Sequence, residues 1–592
     1  MLNIKRNRLI YGDLLSPPEG FELTKAVGTT FTLDLYALLA IPVAMFYAKS
    51  MEGDFKQNRY DVLDAIRKSK SKVDLFCQKG KINVPSKYSN LLAFMEDCII
   101  EITPDRFNAS FHPKLWAMRF ENGKDVLYRL IVLSRNLTFD RSMDIAYHAE
   151  GSPSITKDRE SQKLSSYLQH FYRRSKQPTD QKFFDALERV AFNVPDNFLT
   201  SNYYPILGFE NNLLTFPNPL KEVSYSELLI ISPFVDKKTI KQLKANNKKL
   251  YLVSREEELD KLDSQVLEDI ESYFLNSIIV EGERYIDSEG KEILLQNLHA
   301  KIFIGQNKKE TDWFLGSANC TAPAFERNAE FLLKLQSAHR STSLSFIKQQ
   351  LLLDPKSVFC RYHPKPPKEE VEEENIAPII RKLNFHLINS RFTGDVKKSD
   401  TNENYDVVVK VNLESWPDDR FTVKARIIHR KEKGQELYFG KENSLIFKNI
   451  AITNLSKFLV LDIFFNKEKY SSSLIKIDIN VPQEREDIIF NNLIDSKLKF
   501  FQYIQFLLSP EQYNGIMEIL EEDNTSSNNA HSLNDIFHVN APIYEYLMLA
   551  ASRSPKKLIE IDQIVNRLLK ADSDIVTDFL PIWNVFKEFA HE

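Results

Sequence analysis

His299-Ala300-Lys301, followed downstream by Gly316-Ser317-Ala318-Asn319, repeats an earlier pattern: His112-Pro113-Lys114 followed by Ser134-Arg135-Asn136. Side chains two apart on an extended strand share a face, so each His projects with its Lys and each Ser with its Asn. The spacing inside both copies is long enough for the His-x-Lys strand to turn through a loop and pair with its Ser-x-Asn strand. One hairpin therefore gathers the polar groups of each copy. A neutral imidazole is a competent nucleophile or base near neutral pH, and a second one can protonate a departing oxygen. Lysine and Asn side chains supply charge and donors for non-bridging phosphate oxygens. The set points to phosphodiester chemistry with no metal ion and no cofactor.

Outward from the motifs, the two halves of the chain repeat one order of elements. Residues 29–34 form a β-type run, 35–49 a helical run and 73–77 a second strand; later, 229–236, 237–244 and 249–254 repeat strand, helix, strand. Alternating strands and helices predict α/β units with largely buried sheets. Residues 158–174 and 179–192 carry apolar side chains at helical spacing and are expected to complete the first unit. The division expected is 1–195 for the first unit and 196–365 for the second. A β-rich module follows over 366–482 and a helical C-terminal module over 483–592.

Prolines at 364, 366 and 367 followed by a block of glutamates read as a solvated linker. The runs 405–411, 421–429, 444–447, 458–465 and 474–479 are rich in β-branched and aromatic residues and predict short strands. Beyond 484 the pattern turns helical, most clearly over 542–554, 555–571 and 574–590, with a polar loop over 521–532.

With 592 residues the chain is too long for one core. Its 43% apolar and 27% charged residues are ordinary for a globular protein, and a net charge of −4 excludes a polycation that coats nucleic acid by charge alone. The four cysteines are far apart and form no C-x-x-C pair, so a disulfide framework and a structural zinc site are disfavoured and a reducing cytoplasm is expected. Residues 1–8 lack the apolar core of a secretory signal. The apolar stretch 31–48 contains Asp34 and Pro42 and is too short to span a bilayer, so it is read as buried strand and helix.

The duplicated motifs resemble the phospholipase D superfamily, whose members share a repeated His-x-Lys signature and a covalent phosphohistidine mechanism. The resemblance covers roughly residues 20–340. It implies two phospholipase-D-like α/β units related by a pseudo-twofold axis, with both histidines on one phosphate. By order of occurrence His112 is the nucleophile and His299 the general acid, with Lys114, Lys301, Asn136 and Asn319 holding the phosphate and Ser134 and Ser317 completing the motifs. The signature Asp five residues after each Lys is replaced by Arg119 and Gln306. The tyrosyl-DNA phosphodiesterase branch also lacks it, so the resemblance leans toward a nuclease acting on DNA, and bacterial members with such appendages often look like restriction or phage-defence enzymes. A lipid or small-molecule phosphodiesterase and an inactive nucleic-acid-binding scaffold are the rival readings.

A looser correspondence follows: Arg141-Ser142-Met143-Asp144 resembles Arg327-Asn328-Ala329-Glu330. Asp144 and Glu330 are read as carboxylates that orient the imidazoles. Trp116, Trp313 and Phe325 are read as core rather than stacking platforms, His148 as structural, Cys320 as a small buried residue, and the basic run 67–72 as solvated surface rather than a nucleic-acid contact. DNA is the expected partner, with a protein partner for the C-terminal modules as a further expectation and no membrane association.

Overall fold

The computed structural model describes residues 11–47, 59–138, 142–208, 218–275, 297–354, 357–364, 376–399, 403–430, 434–494, 497–508, 543–553, 555–571 and 573–587. The acidic part of the linker and the polar loop 521–532 lie outside them. The chain is α/β, built on two duplicated sheets. In the first, β1 (Glu22–Thr30), β2 (Val73–Gln78) and β3 (Ile99–Ile102) run parallel, and β4 (Leu115–Asn122), β5 (Asp125–Leu133) and β7 (Ala146–Gly151) continue antiparallel, in the order β3-β2-β1-β4-β5-β7. A two-residue strand, β6 (Ser142–Met143), precedes β7.

The second sheet repeats this plan. It contains β8 (Thr200–Leu207), β9 (Glu227–Ile231), β10 (Leu250–Ser254), β11 (Ile270–Leu275), β13 (Ile302–Asn307), β14 (Glu310–Gly316), β15 (Ala329–Ser337) and β16 (Phe359–Arg361). Its order, β16-β11-β10-β9-β13-β14-β15-β8, contains the first sheet's six-strand pattern with one strand added at each edge. The short β12 (Asn297–Leu298) pairs with β6 across the units.

Alternation along the strands assigns the layers. Val27, Phe76, Leu115 and Tyr128 share one core with Leu229, Ile231, Ile302 and Leu333, so the two sheets face each other with the helix Arg159–Ser175 between them. The outer face of the second sheet, including Leu228, Ile230 and Phe303, packs under its own helices. The outer face of the first, including Leu75, Trp116 and Met118, is covered by the helices Leu35–Tyr47 and Arg59–Ser69 and by the C-terminal helices Lys497–Leu508, Ile543–Arg553 and Pro555–Ala571.

That covering explains residues 35–47. The helix is apolar throughout, and most of its described side chains are buried, Leu38, Ile41 and Met45 fully. Asp34 caps it, accepting from the backbone N–H of Tyr36 at 2.8 Å and Ala37 at 3.2 Å. Among the described residues no helix is long and apolar enough to cross a membrane.

The β-rich region consists of two four-stranded sheets that share a core containing Val409, Val423 and Leu461. It differs from expectation in three additions: the helix Ala377–Asn389 and the strands Thr393–Lys398 and Gln435–Leu437. The strand Thr393–Lys398 is largely exposed, so it carries no alternating pattern to read. Near the C-terminus the expected long helix is reduced to a turn at Ser573–Ile575 and the helix Leu580–Phe586.

These modules are fastened to the first unit. Glu96 and Arg485, both buried, pair at 2.8 Å; the other Glu96 oxygen accepts from Ser456 at 2.6 Å and from the backbone N–H of Lys457 at 3.2 Å. Lys476 donates to the carbonyls of Glu96 and Ile99 at 2.6 and 2.8 Å. The basic run 67–72, read from sequence as solvated, is instead partly neutralised: Arg67 pairs with Asp64 and Glu560, and Lys70 with Glu486.

Candidate active site

Each His-x-Lys motif sits immediately before its hairpin, and each Ser-x-Asn immediately after it. Leu115 pairs with Val132, and Ile302 with Leu315, at the ends of the two ladders. The motifs are therefore not within strands, as the sequence implied, but in the irregular segments where the ladders end. Pro113 gives one reason, since it has no N–H to donate.

Where the ladders stop, the units pair with each other. The backbone N–H of His112 donates to the carbonyl of Ala329, and that of His299 to the carbonyl of Met143, each at 3.0 Å. Phe111 bridges Ala329 in parallel, as Leu298 pairs with Met143. Ala329 precedes Glu330 and Met143 precedes Asp144, so the backbone sets each histidine against the acid of the other copy. The second unit adds one hydrogen bond that Pro113 forbids in the first: Ala300 N–H also reaches the Met143 carbonyl, at 2.8 Å.

The side chains show the crossing directly for one pair. His112 Nδ1 lies 2.9 Å from Glu330 Oε2. Glu330 is fully buried and accepts two more hydrogen bonds, from Ser317 Oγ and, at 3.0 Å, from Asn328 Nδ2. Asn328 is itself fixed, its Oδ1 accepting the backbone N–H of Ser110 at 3.0 Å. Tyr167 donates to the Glu330 carbonyl at 2.8 Å.

The first copy builds its acid in the same way. Asp144 accepts from Ser134 Oγ at 3.3 Å and Ser142 Oγ at 3.0 Å. Ser134 Oγ takes the N–H of Ile145 at 2.9 Å, as Ser317 Oγ takes that of Phe331 at 3.0 Å. The motif serines thus hold the carboxylates, not the position a phosphate would take. Ser142 and Asn328, two residues before each acid, were not singled out as functional from the sequence. Their signal was the aligned four-residue segments ending in Asp144 and Glu330. The uneven offset of the two acids has a local cause, the extra helix Ala322–Glu326 in the second copy.

Gly316 supplies the turn into the second Ser-x-Asn. Its φ is +145°, and a Cβ there would lie 2.1 Å from the carbonyl oxygen of Phe331. The first copy has Leu133 at this place, within β5.

Lys114 and Lys301 are buried. Lys114 Nζ donates to the His112 carbonyl at 3.0 Å, and Lys301 Nζ to the carbonyls of His299 at 2.7 Å and Ser134 at 3.3 Å. Burial, reinforced by the like charge of Lys301, pushes the Lys114 ammonium well below its usual range. Burial also lowers His112 to about 4, against the opposing pull of Glu330, so the imidazole is neutral at pH 7. Asn136 Oδ1 lies 3.5 Å from the N–H of Thr32; Asn319 Oδ1 is buried without a hydrogen-bond partner.

The remaining candidates fall away from this centre. Trp116, Trp313, Phe325 and Cys320 are core, and His148 is exposed on β7. Gln306, at a position of the missing signature Asp, accepts from Thr311 and from the N–H of Leu344 and serves its hairpin.

No family model and no curated protein matches the chain. Among solved structures it is similar to polyphosphate kinase from Porphyromonas gingivalis, with 12% identity and a TM-score of 0.34 over 63% of this chain and 49% of that one. The chain therefore spans about half the length of that protein. It is also similar to phosphatidylserine synthase from Haemophilus influenzae Rd KW20, with 11% identity and a TM-score of 0.34 over 62% of this chain and 93% of that one.

Proposed function

We propose that this chain is a metal-independent phosphodiesterase of the phospholipase D type, acting on DNA as an endonuclease through a covalent phosphohistidine. The observation that carries the reading is the crossed pairing: His112 of one unit on Glu330 of the other, with the same backbone register bringing His299 to Asp144. A carboxylate on Nδ1 fixes the proton there and leaves Nε2 with its lone pair outward.

In this reading His112 Nε2 attacks phosphorus, the bond from phosphorus to the leaving oxygen breaks, and His299 gives that oxygen its proton. His299 then takes a proton from water as the water oxygen attacks phosphorus and the P–N bond breaks, which restores both imidazoles. Lys114, Lys301, Asn136 and Asn319 face the non-bridging oxygens as charge builds. The neutral state of His112 at pH 7 supports its assignment as nucleophile.

The test uses bis(p-nitrophenyl) phosphate and labelled DNA in EDTA. Wild type cleaves both, and His112→Ala cleaves neither. With the good p-nitrophenolate leaving group, His299→Ala forms the adduct on His112 but hydrolyses it slowly, giving a burst. An adduct trapped on His299 reverses the roles. Cleavage of a phospholipid without nicking of plasmid selects the lipid reading, and wild-type inactivity on every diester selects the scaffold.

A further inference from the structure

We infer that Phe234, with the Arg255 guanidinium stacked on its ring, is a platform for an unpaired nucleobase on the His299 side of the phosphate. The inference rests on the phosphodiesterase reading for the identity of that phosphate, and it names the substrate class as single-stranded nucleic acid.

Phe234 is 42% exposed, and the Arg255 guanidinium carbon lies over its ring, 4.6 Å from the centroid. The two residues follow the ends of the neighbouring parallel strands β9 and β10, the carboxyl edge at which open α/β sheets bind their ligands. Both are tied by hydrogen bonds to the segments that carry the motifs. Arg255 donates through Nε and Nη2 to the carbonyl of Leu298, the residue before His299, each at 3.0 Å. The carbonyl of Phe234 accepts from Ser232 Oγ at 2.7 Å, and that oxygen takes the N–H of Cys320, the residue after Asn319, at 2.9 Å. Val235 then bridges Cys320. The stack is thus held between the backbone next to His299 and the backbone next to Asn319.

The first unit separates what this plan needs from what the second unit adds. Thr30 Oγ1 donates to the Thr32 carbonyl at 2.8 Å and takes the N–H of Leu137, the residue after Asn136, at 3.0 Å, so Thr32 stands where Phe234 does. Gln78, at the end of β2, accepts the N–H of Phe111, the residue before His112, at 2.8 Å, so Gln78 stands where Arg255 does. A neutral pair therefore suffices to hold the segment before a histidine. Phe and Arg in place of Thr and Gln add an exposed ring and a charge that holding the segment does not require. They make the two flanks of a twofold site unequal, which suits a substrate that differs on the two sides of its phosphate, as a nucleic-acid strand does.

An unpaired base has a π-face to lay against the stack, and its strand carries the negative charge that the planar cation attracts. In a duplex both faces of a base are already covered by its neighbours, so the platform selects single strands.

The test compares a labelled single-stranded oligonucleotide with an abasic strand of the same length. Binding is followed by anisotropy on the full chain carrying His112→Ala, so that the probe stays intact. Adding Phe234→Leu lowers affinity for the oligonucleotide about fivefold or more, whereas Phe234→Tyr keeps it. On the abasic strand Phe234→Leu and its parent bind alike. Arg255→Gln, the residue type of the first unit, keeps a donor for Leu298 and lowers oligonucleotide affinity about two- to fivefold. Combined with Phe234→Leu it costs less than the product of the two single losses, because the stack is lost only once.

Unchanged affinity in Phe234→Leu, an equal loss on the abasic strand, or a loss in Phe234→Tyr as large as in Phe234→Leu overturns the platform. A duplex bound as tightly as the single strand, with the same dependence on Phe234, overturns the choice of an unpaired base. Fully independent losses in the double variant overturn the part of Arg255 in the stack. Failure of wild type to cleave any diester overturns the catalytic reading alone, since the abasic comparison still decides the platform.

Discussion

Replacing Glu330 by Gln leaves the shape of the site almost unchanged and is expected to lower turnover by about 10²- to 10⁴-fold. The carboxylate accepts three hydrogen bonds, from His112, Ser317 and Asn328. An amide offers one oxygen, and Asn328 decides where it goes. Because Asn328 Oδ1 is held by the Ser110 N–H, its Nδ2 must donate toward residue 330. The new amide oxygen therefore faces Asn328, and its NH₂ faces His112.

That NH₂ donates to Nδ1 and moves the imidazole proton to Nε2, where it occupies the lone pair needed for attack. Restoring the reactive tautomer costs about 1–3 kcal/mol for an unmatched buried donor. Losing the charge-assisted bond to the developing imidazolium costs about 1.5–3 kcal/mol more. Stability falls by about 1–3 kcal/mol, because Ser317 Oγ donates to the same oxygen that the NH₂ replaces and its proton loses that acceptor. The assay is single-turnover cleavage of bis(p-nitrophenyl) phosphate in EDTA, beside urea unfolding. Adding Asn328→Asp turns the amide around, returns its oxygen to His112 and recovers at least about tenfold in rate. Wild-type turnover in Glu330→Gln, or a double variant no faster than the single one, refutes the reasoning.

Other perturbations test the rest of the structure. His112 has a folded-state pKa near 4 against 6.5 when unfolded, so its contribution to stability is complete above pH 6.5 and is lost as pH falls through that window toward 4. Between pH 7 and 5 wild type should lose about 2 kcal/mol that His112→Asn does not lose, read from urea midpoints, and equal pH slopes would contradict the depressed pKa. Arg485→Met strands Glu96 in the interior and should destabilise the fold by about 3–5 kcal/mol, with an unmoved urea midpoint showing that the pair is not buried in solution. Gly316→Ala forces a Cβ against the Phe331 carbonyl and should reduce cleavage sharply; a crystal structure with the Ser317–Asn319 segment unmoved and full activity would argue against the strained turn.

The residues that gather at the candidate site could be picked out because their signals are local. His-x-Lys and Ser-x-Asn are read within three positions each, and the strand-helix-strand repeats that carry them follow from apolar runs and helical spacing over short windows. The carboxylates could be nominated from their place after each Asn. The buried helix Leu35–Tyr47 was also legible, since Asp34, Pro42 and its length argue against a membrane span. The local rules failed where burial has no period. The strand Thr393–Lys398 looks like loop because its face is exposed.

The sequence by itself determined the residue types, their order and the twofold repetition, since those are written within each copy. Only the tertiary structure decided that the histidine of one copy rests on the acid of the other. That pairing arises where the ladders end and free backbone N–H and C=O groups of two units find each other, as His112 finds Ala329 and His299 finds Met143. Residues 218 apart in the chain meet through that contact, His112 on Glu330, and no window of sequence spans the distance.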